Sequence, residues 1–402
     1  MQLPQNLNTC HVSANSPALR FKTSDGSAQP AWIERRLQDV ADIFLGLTYT
    51  PAYVPEGIPF LSGQNLKNGK IDWSRLHYIS PDEFRRSTSS AKPRPGDILF
   101  ARAGTLGNPV IWEQKKDICV FVSVGFLRIK VPDCLNTFLK VWMESPLFAR
   151  QVKQKVAGTS QKNLNTGWLK DFTFNCPPLP EQRKITNFFT LLDQRIEVTA
   201  QKYRSLNELK HAYAQRIFSG ALRFKDDEGD NYPAWQELKL ENVCTLSKGT
   251  RIQNGSSMTL IDLNFLRTGR LKTTTHGVSI QKGDLIIVAD GENSGEIFRA
   301  PAAGFLGSTF LRVLLKVQVQ PEFCCQLIAN WQSRFKRTRI GSSIPHLNKD
   351  FFYHQRFGCP SAAEQGKISN FLTDLDHKIT LAAKKLDELQ QLKQSLLQKM
   401  LV

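Results

Sequence analysis

The same opening occurs twice in this chain. "LRFKTSDGSAQPAW" runs from Leu19 to Trp32, and "LRFKDDEGDNYPAW" runs from Leu222 to Trp235, 203 residues later. A longer block repeats as well. "CPPLPEQRKITNFFTLLDQRIEVTAQKYRSLNELKHAYAQRIFSG" (176–220) matches "CPSAAEQGKISNFLTDLDHKITLAAKKLDELQQLKQSLLQKMLV" (359–402), now at an offset of 183. The segment between matching ends is therefore 20 residues longer in the first half than in the second. Conserved ends around differing middles describe a duplicated frame carrying two different inserts. Each half spans about 180 to 200 residues, too long for a solenoid unit and right for a domain plus a connector.

The second block is helical, and its period shows how it is used. Ile185, Phe189, Leu192, Ile196, Thr199, Tyr203, Leu206, Leu209, Tyr213 and Ile217 fall mostly at alternating steps of four and three. Ile368, Leu372, Leu375, Ile379, Ala382, Leu386, Leu389, Leu392, Leu396 and Met400 keep the same spacing in the other copy. That is an a/d seam sustained over about four heptads. The first helix starts after Pro180 with Glu181 in its first turn, and Gly220 is a fitting stop. Ser361 with Glu364 forms a capping box for the second. Two seams of ~33 residues, each ~50 Å long, favour pairing with each other over lying on their own domains.

The inserts read as mixed α/β. "RPGDILFARAGTLGNPVIW" (94–112) and "IQKGDLIIVADGENSGEIF" (280–298) each place a Gly-Asp turn before an apolar strand, a Gly-rich turn and another strand. "SVGFLRIKV" (123–131) and "GSTFLRVLLKV" (307–317) follow as further strands. The Gly-rich turns lack a G-K-[ST] ending and a following helix, so they read as hairpin turns and not phosphate loops. No apolar run is long enough to span a bilayer, "DLIIVA" (284–289) included, and the start "MQLPQNLNTC" has no signal-peptide pattern. Eight cysteines without any C-x-x-C, and seven unpaired histidines, read as reduced, mostly buried thiols of a cytosolic protein with no metal site. The net charge of +17, at a pI near 9.6, points to a polyanionic partner.

Taken together, these residues resemble the specificity subunit of a type I DNA restriction-modification system. The resemblance covers nearly the whole chain. Its carriers are "PPLPEQRKITNFF" with the degenerate "CPSAAEQGKISNFL", the two helical blocks, and "IPFLSGQNLKNGKID" (58–72). The second block departs at Ala362, Ala363 and Gly366, where the first has Leu179, Pro180 and Arg183. The resemblance implies an α+β chain. Two α/β target recognition domains would be joined by two long helices pairing as an antiparallel coiled coil, in a pseudo-two-fold, circular repeat. The expected divisions are 1–18 as an N-terminal segment, 19–175 as the first recognition domain, 176–221 as the central helical region, 222–358 as the second domain and 359–402 as the C-terminal helical region. The spacer would be built on Ile185, Phe189, Leu192, Ile196, Tyr203, Leu206, Ile368, Leu372, Leu375, Ile379, Leu386 and Leu389. Each domain would read half of a bipartite, asymmetric site in double-stranded DNA. The helices would also dock two methyltransferase subunits, and restriction/translocase subunits would complete the assembly. No cofactor is expected in this chain; S-adenosylmethionine, ATP and Mg would sit on those partners, with no membrane involved.

Charge supports this independently. Residues 181–217 carry seven Lys/Arg against four Asp/Glu and residues 364–402 six against five, so +13 of the +17 lies mainly in the inserts and their flanks. Basic residues there alternate with Asn and Gln, which can pair with adenine edges while Arg and Lys take phosphate or guanine. The candidate DNA-binding residues are Gln64, Asn65, Lys67 and Lys70 of "GQNLKNGK", Arg102, and Lys153, Lys155, Gln161, Lys162 and Asn163 of "RQVKQKVAGTSQKNLN". In the second insert they are Arg251, Arg267, Arg270 and Lys272, with Arg334, Lys336, Arg337, Arg339, Ser343, His346 and Asn348 of "RFKRTRIGSSIPHLN".

Two other classes compete. "NCPPL" (175–179) is similar to the Asn-Pro-Pro-aromatic loop of a stand-alone amino-methyltransferase, but Cys176 is inserted and Leu179 replaces the ring that would stack on a flipped base. A coiled-coil scaffold would not explain +13 on two divergent inserts. The expectation is a subunit without its own active site. Aligning Val402 with Ser219 and Leu19 with Leu222 makes the chain a closed circle cut at one helix-to-domain junction. Its two ends should therefore lie close together, with residues 1–16 outside the repeat.

Overall fold

The computed structural model describes residues 7–8, 17–23, 26–27, 29–156, 163–316, 319–341 and 343–401. The chain divides into two compact units, Met1–Thr199 with Lys385–Val402, and Ala200–Lys384. One sheet has the same strand order in both. In the first unit a four-stranded antiparallel sheet runs Gly107–Ile111, Ile98–Ala101, Val124–Ile129, Ala41–Leu45. In the second it runs Ile297–Arg299, Leu285–Val288, Phe310–Leu315, Cys244–Ser247. A second sheet in each contains one parallel pair: Ile58–Leu61 with Cys119–Val120, and Met258–Ile261 with Gly304–Leu306. A two-stranded ribbon closes each insert, Ile33–Arg36 against Thr173–Cys176 and Gln236–Lys239 against Arg356–Cys359.

The repeated Gly-Asp turns have a mechanical role. Gly96 and Gly283 take φ of +96° and +92°, which glycine adopts without strain. Asp97 then accepts from the Arg94 backbone N–H at 2.7 Å and from Arg128 at 2.7 and 2.9 Å. Asp284 does the same with the Gln281 N–H at 3.0 Å and Arg312 at 3.1 Å. The "GD" and "FLR" of each half are thus mates across one sheet. The Gly-rich segments after them close antiparallel hairpins. By these aspartates the offset has fallen from 203 to 187, so sixteen of the twenty extra residues lie earlier. There the first unit carries a hairpin, Leu66–Lys67 with Lys70–Ile71, where the second has the short helix Leu263–Thr268.

Both long helices form, Leu179–Phe218 and Ala362–Met400. Their first turns hold the repeated openings. The Glu181 carboxylate, fully buried, accepts from Arg20 at 3.1 and 2.6 Å and from the Trp32 indole N–H at 2.9 Å. Glu364 accepts from Arg223 at 3.1 and 2.6 Å and from Trp235 at 2.7 Å. The next residue ties in the insert: Gln182 accepts from the Leu135 N–H and donates to the Pro177 carbonyl, and Gln365 does so with Gln320 and Pro360. Lys184 and Lys367 complete the match by donating to the carbonyls of Lys22 and Lys225.

Each unit packs the start of one long helix beside the end of the other. Ile185, Phe189 and Leu192 share a core with Leu389, Leu396 and Met400, and with Phe138 and Trp142 of the insert. In the second unit Ile368, Leu372 and Leu375 share one with Ala214 and Ile217, and with Phe323 and Trp331. The helices are therefore antiparallel. The seam deviates from the strict heptad at one place in each. Leu209 and Leu392 are 44% and 37% exposed, and the neighbouring Lys210 and Lys393 turn inward instead. A straight helix drifts by about 20° per heptad against a 3.5 repeat, so the inward stripe moves on by one residue. Lys393 Nζ lies 2.6 Å from Asp193 and 2.7 Å from Glu144; its equivalent Lys210 lies 2.6 Å from Asp376. Burial opposes the charge on Glu144, yet Lys140 and Lys393 hold its pKa below the usual carboxylate value. Burial is the largest cause that pushes the Cys119 and Cys244 thiols up, to about 11 and about 12, and so disfavours the thiolate.

The circular relation is visible at the junctions. The Leu222 N–H donates to the Arg216 carbonyl at 3.0 Å where the chain is continuous, and the equivalent Leu19 N–H donates to Lys399 at 3.0 Å across the cut. A permutant joining Val402 to Pro17 through a short linker and reopened between Ser219 and Gly220 should fold with an unchanged thermal transition. A permutant that fails to fold would show that these two junctions are not interchangeable. Glu181→Ala removes the carboxylate that Arg20 and the Trp32 indole share and should cost the first unit roughly 3–5 kcal/mol. Amide exchange should report that loss in the first unit alone, and in the second alone for Glu364→Ala.

Candidate nucleic-acid interface

In the second unit the ends of several strands open one cleft of about 1290 Å³. Lys248 comes from the loop after Cys244–Ser247, Arg251 from the short strand Arg251–Ile252, His276 from just before Gly277–Ile280, and Asp290 from just beyond Leu285–Val288. Ser308 and Thr309 precede Phe310–Leu315, and His346 and Lys349 lie in and just after the basic segment. The walls thus combine cations, imidazoles, hydroxyls and three aspartates, Asp262, Asp290 and Asp350. Donors and acceptors fixed on a rigid scaffold are what base edges and phosphates require.

The predicted residues fall into three groups. Some offer their side chains outward: Gln64, Lys153, Lys155 and Asn163 in the first unit, and Arg251, Arg270, Arg334, Arg337 and Ser343 in the second, are exposed. Others are exposed or half-buried but already paired. Lys67 meets Asp72 at 2.8 Å, Lys70 meets Glu197 of the central helix at 2.9 Å, and Lys272 lies 3.9 Å from Asp262. Arg267 and Lys336 share Glu296 at 2.8 and 3.2 Å, and His346 Nδ1 sits 2.7 Å from Asp290. Arg339 donates to the carbonyls of Lys336 and Glu292, which holds its own loop.

The third group corrects the sequence expectation. Asn65 is 4% exposed, and its amide is spent on Ser62, Asp72 and Arg75. Arg102 is 6% exposed and donates to the carbonyls of Leu164 and Val122; burial lowers its pKa. Asn348 caps the helix Lys349–Tyr353 by accepting from the Phe351 N–H. Asn65 and Arg102 hold the fold, while Asn348 caps its helix and also lines the cleft. Gln161 and Lys162 lie outside the described residues. The sequence does not mark out Lys248, His276, Asp290 or Lys349; of the four, Asp290 alone stands beside a strand that the pattern predicts, in "DLIIVA". Tyr53, stacked on His77 at 4.2 Å and 46% exposed, was missed in the first unit. Among the described residues no three His, Cys, Asp or Glu side chains converge as metal ligands, and no helix is long and apolar enough to cross a membrane.

Comparison with known proteins agrees with this architecture. The family model described as "Type I restriction modification DNA specificity domain" matches residues 31–208 and 233–391. The type I restriction enzyme MjaVIII specificity subunit of Methanocaldococcus jannaschii is 26% identical over 217 residues, 51% of this chain and 50% of that protein. The chain spans about half the length of the curated relatives it matches. The S subunit of a type I restriction-modification system from M. genitalium superposes with a TM-score of 0.61 at 17% identity, over 96% of this chain and 99% of that one. A chain from a structure of complex assembly and conformational transition in the type I R-M system gives 0.56 at 18%, over 93% and 98%.

The exposed arginines can be separated from the structural ones by salt. Arg334→Ala and Arg337→Ala should each reduce the slope of log affinity for duplex DNA against log salt by about 1 if they meet phosphate. Arg102→Ala should instead leave two carbonyls unsatisfied and destabilise the first unit by about 1–3 kcal/mol, seen as a lower unfolding midpoint. Unchanged slopes for both arginine variants would move the phosphate contacts elsewhere.

Proposed function

The chain belongs to the family of type I restriction modification DNA specificity domains, and from that premise we propose that it reads the DNA target for such a system. Each unit reads one half of a bipartite, asymmetric site, and the antiparallel helices set the distance between the halves. The chain performs no chemistry of its own. Methylation of adenine belongs to two methyltransferase subunits that carry S-adenosylmethionine, and cleavage belongs to restriction/translocase subunits that use ATP and Mg. The observation that supports this reading best is a shared frame with unlike surfaces. The two units share the strand order of their four-stranded antiparallel sheet, yet the first presents Ala103 and Asn163 where the second presents Asp290 and His346. A frame that repeats while its readers differ suits an asymmetric target.

Domain exchange tests it. Replacing residues 33–175 by the corresponding segment of a relative, in complex with the methyltransferase subunits, should change one half of the methylated motif and leave the other and the spacer intact. Mapping methylated adenines in the host genome reads this directly. Both halves changing together would refute independent readers. A purified single chain that methylates or cuts DNA unaided would refute the non-catalytic assignment.

A further inference from the structure

One segment at the cleft of the second unit is held far more tightly than an exposed loop needs to be. The His346 N–H donates to the Ile340 carbonyl at 2.7 Å, and the Ile340 N–H returns to His346 at 3.1 Å. On the other side the Gly291 N–H donates to Pro345 at 2.7 Å and the Leu347 N–H to Ala289 at 2.8 Å. Between these, Gly341 has φ of +93°, and a Cβ there would lie 2.6 Å from the Ile344 carbonyl oxygen. Only glycine closes this loop. The backbone of His346 is therefore fixed from both faces.

Its ring is fixed as well. Asp290 Oδ1 lies 2.7 Å from His346 Nδ1, and both side chains are partly exposed, at 41% and 49%, on the cleft wall. A carboxylate accepts only, so Nδ1 carries the proton between them. In the neutral ring Nε2 is then an acceptor with its lone pair directed away from Asp290. Ile340, 53% exposed, lines the same cleft, and Ile344, 58% exposed, lies on the same loop. An oriented acceptor beside exposed aliphatic carbon has no role in the fold, since neither isoleucine is covered. It does match a base pair seen from the major groove, where adenine and cytosine present an exocyclic amine and thymine a methyl group.

We propose that His346 is a base-reading residue of the second unit, accepting from the exocyclic amine of an adenine or cytosine, and that Asp290 is the positioning residue that sets its tautomer. This rests on the reading of the units as DNA readers. The first unit has Asn163 and Ala103 at the equivalent bridge, so its half-site is read differently at this point.

The test uses the full chain assembled with its methyltransferase subunits and a plasmid library randomised across the methylated motif. His346→Ala should relax discrimination at one base pair of one half-site by roughly 5- to 150-fold, leaving the other half-site unchanged. Asp290→Ala should relax the same base pair less, because the ring is freed and not removed. His346→Leu, which keeps bulk but no acceptor, provides the same readout should the alanine variant fail to assemble. A motif unchanged in His346→Ala or His346→Leu would overturn the assignment, as would a uniform loss at both half-sites. A wild-type complex lacking a two-part motif would overturn the parent reading too, which separates the two failures.

Discussion

The frame depends on two buried carboxylates. Glu181 and Glu364 have no exposed surface, and each receives three N–H donors, two from an arginine and one from a tryptophan. An unpaired carboxylate in that position would cost several kcal/mol, so the helix start cannot form correctly unless the repeated opening is in place. Each glutamate also stands in the first turn of a 40- or 39-residue helix, where the macrodipole favours negative charge. The adjacent Gln182 and Gln365 then bind the backbone of the insert at Leu135 and Gln320. One Glu-Gln dipeptide thereby joins opening, helix and insert. At Leu135 and Gln320 it holds the insert by backbone N–H groups, which lets the side chains there diverge while the frame stays constant.

That division explains what the sequence revealed and what it hid. The repeat, the long helices and the paired strands were legible because each rests on a period or on a motif that occurs twice. The Gly-Asp turns and "FLR" strands were recognised separately, while the ion pairs Asp97–Arg128 and Asp284–Arg312 that connect them were not. The heptad pattern placed Leu209 and Leu392 inward. It could not show that Lys210 and Lys393 would find Asp376 and Asp193, since a buried lysine is tolerated only where tertiary structure supplies an anion. Asn65 and Arg102 looked like base readers by residue type. Their side chains are consumed by backbone groups that only the folded turns bring near. The cleft was illegible for a related reason: its wall is drawn from separate strand ends, far apart in sequence.

The same accounting changes the meaning of the net charge of +17. Lys67, Lys70, Arg267, Lys272 and Lys336 each lie within 4 Å of a carboxylate, so their charge is already partly neutralised before any polyanion arrives. Surface pairs of this kind contribute little to stability, about 0–1 kcal/mol each, but they orient long side chains and remove them from the population free to replace counterions. Lys153, Lys155, Arg251, Arg270, Arg334 and Arg337 are exposed and have no carboxylate partner in an ion pair among the described residues. Affinity that depends on salt should therefore come from this second set, and orientation from the first. In the first unit the division has a further consequence. Lys70 spends its charge on Glu197 of the central helix, so the hairpin present only in that unit leans on the frame, and its extra residues add a strut more than a reader.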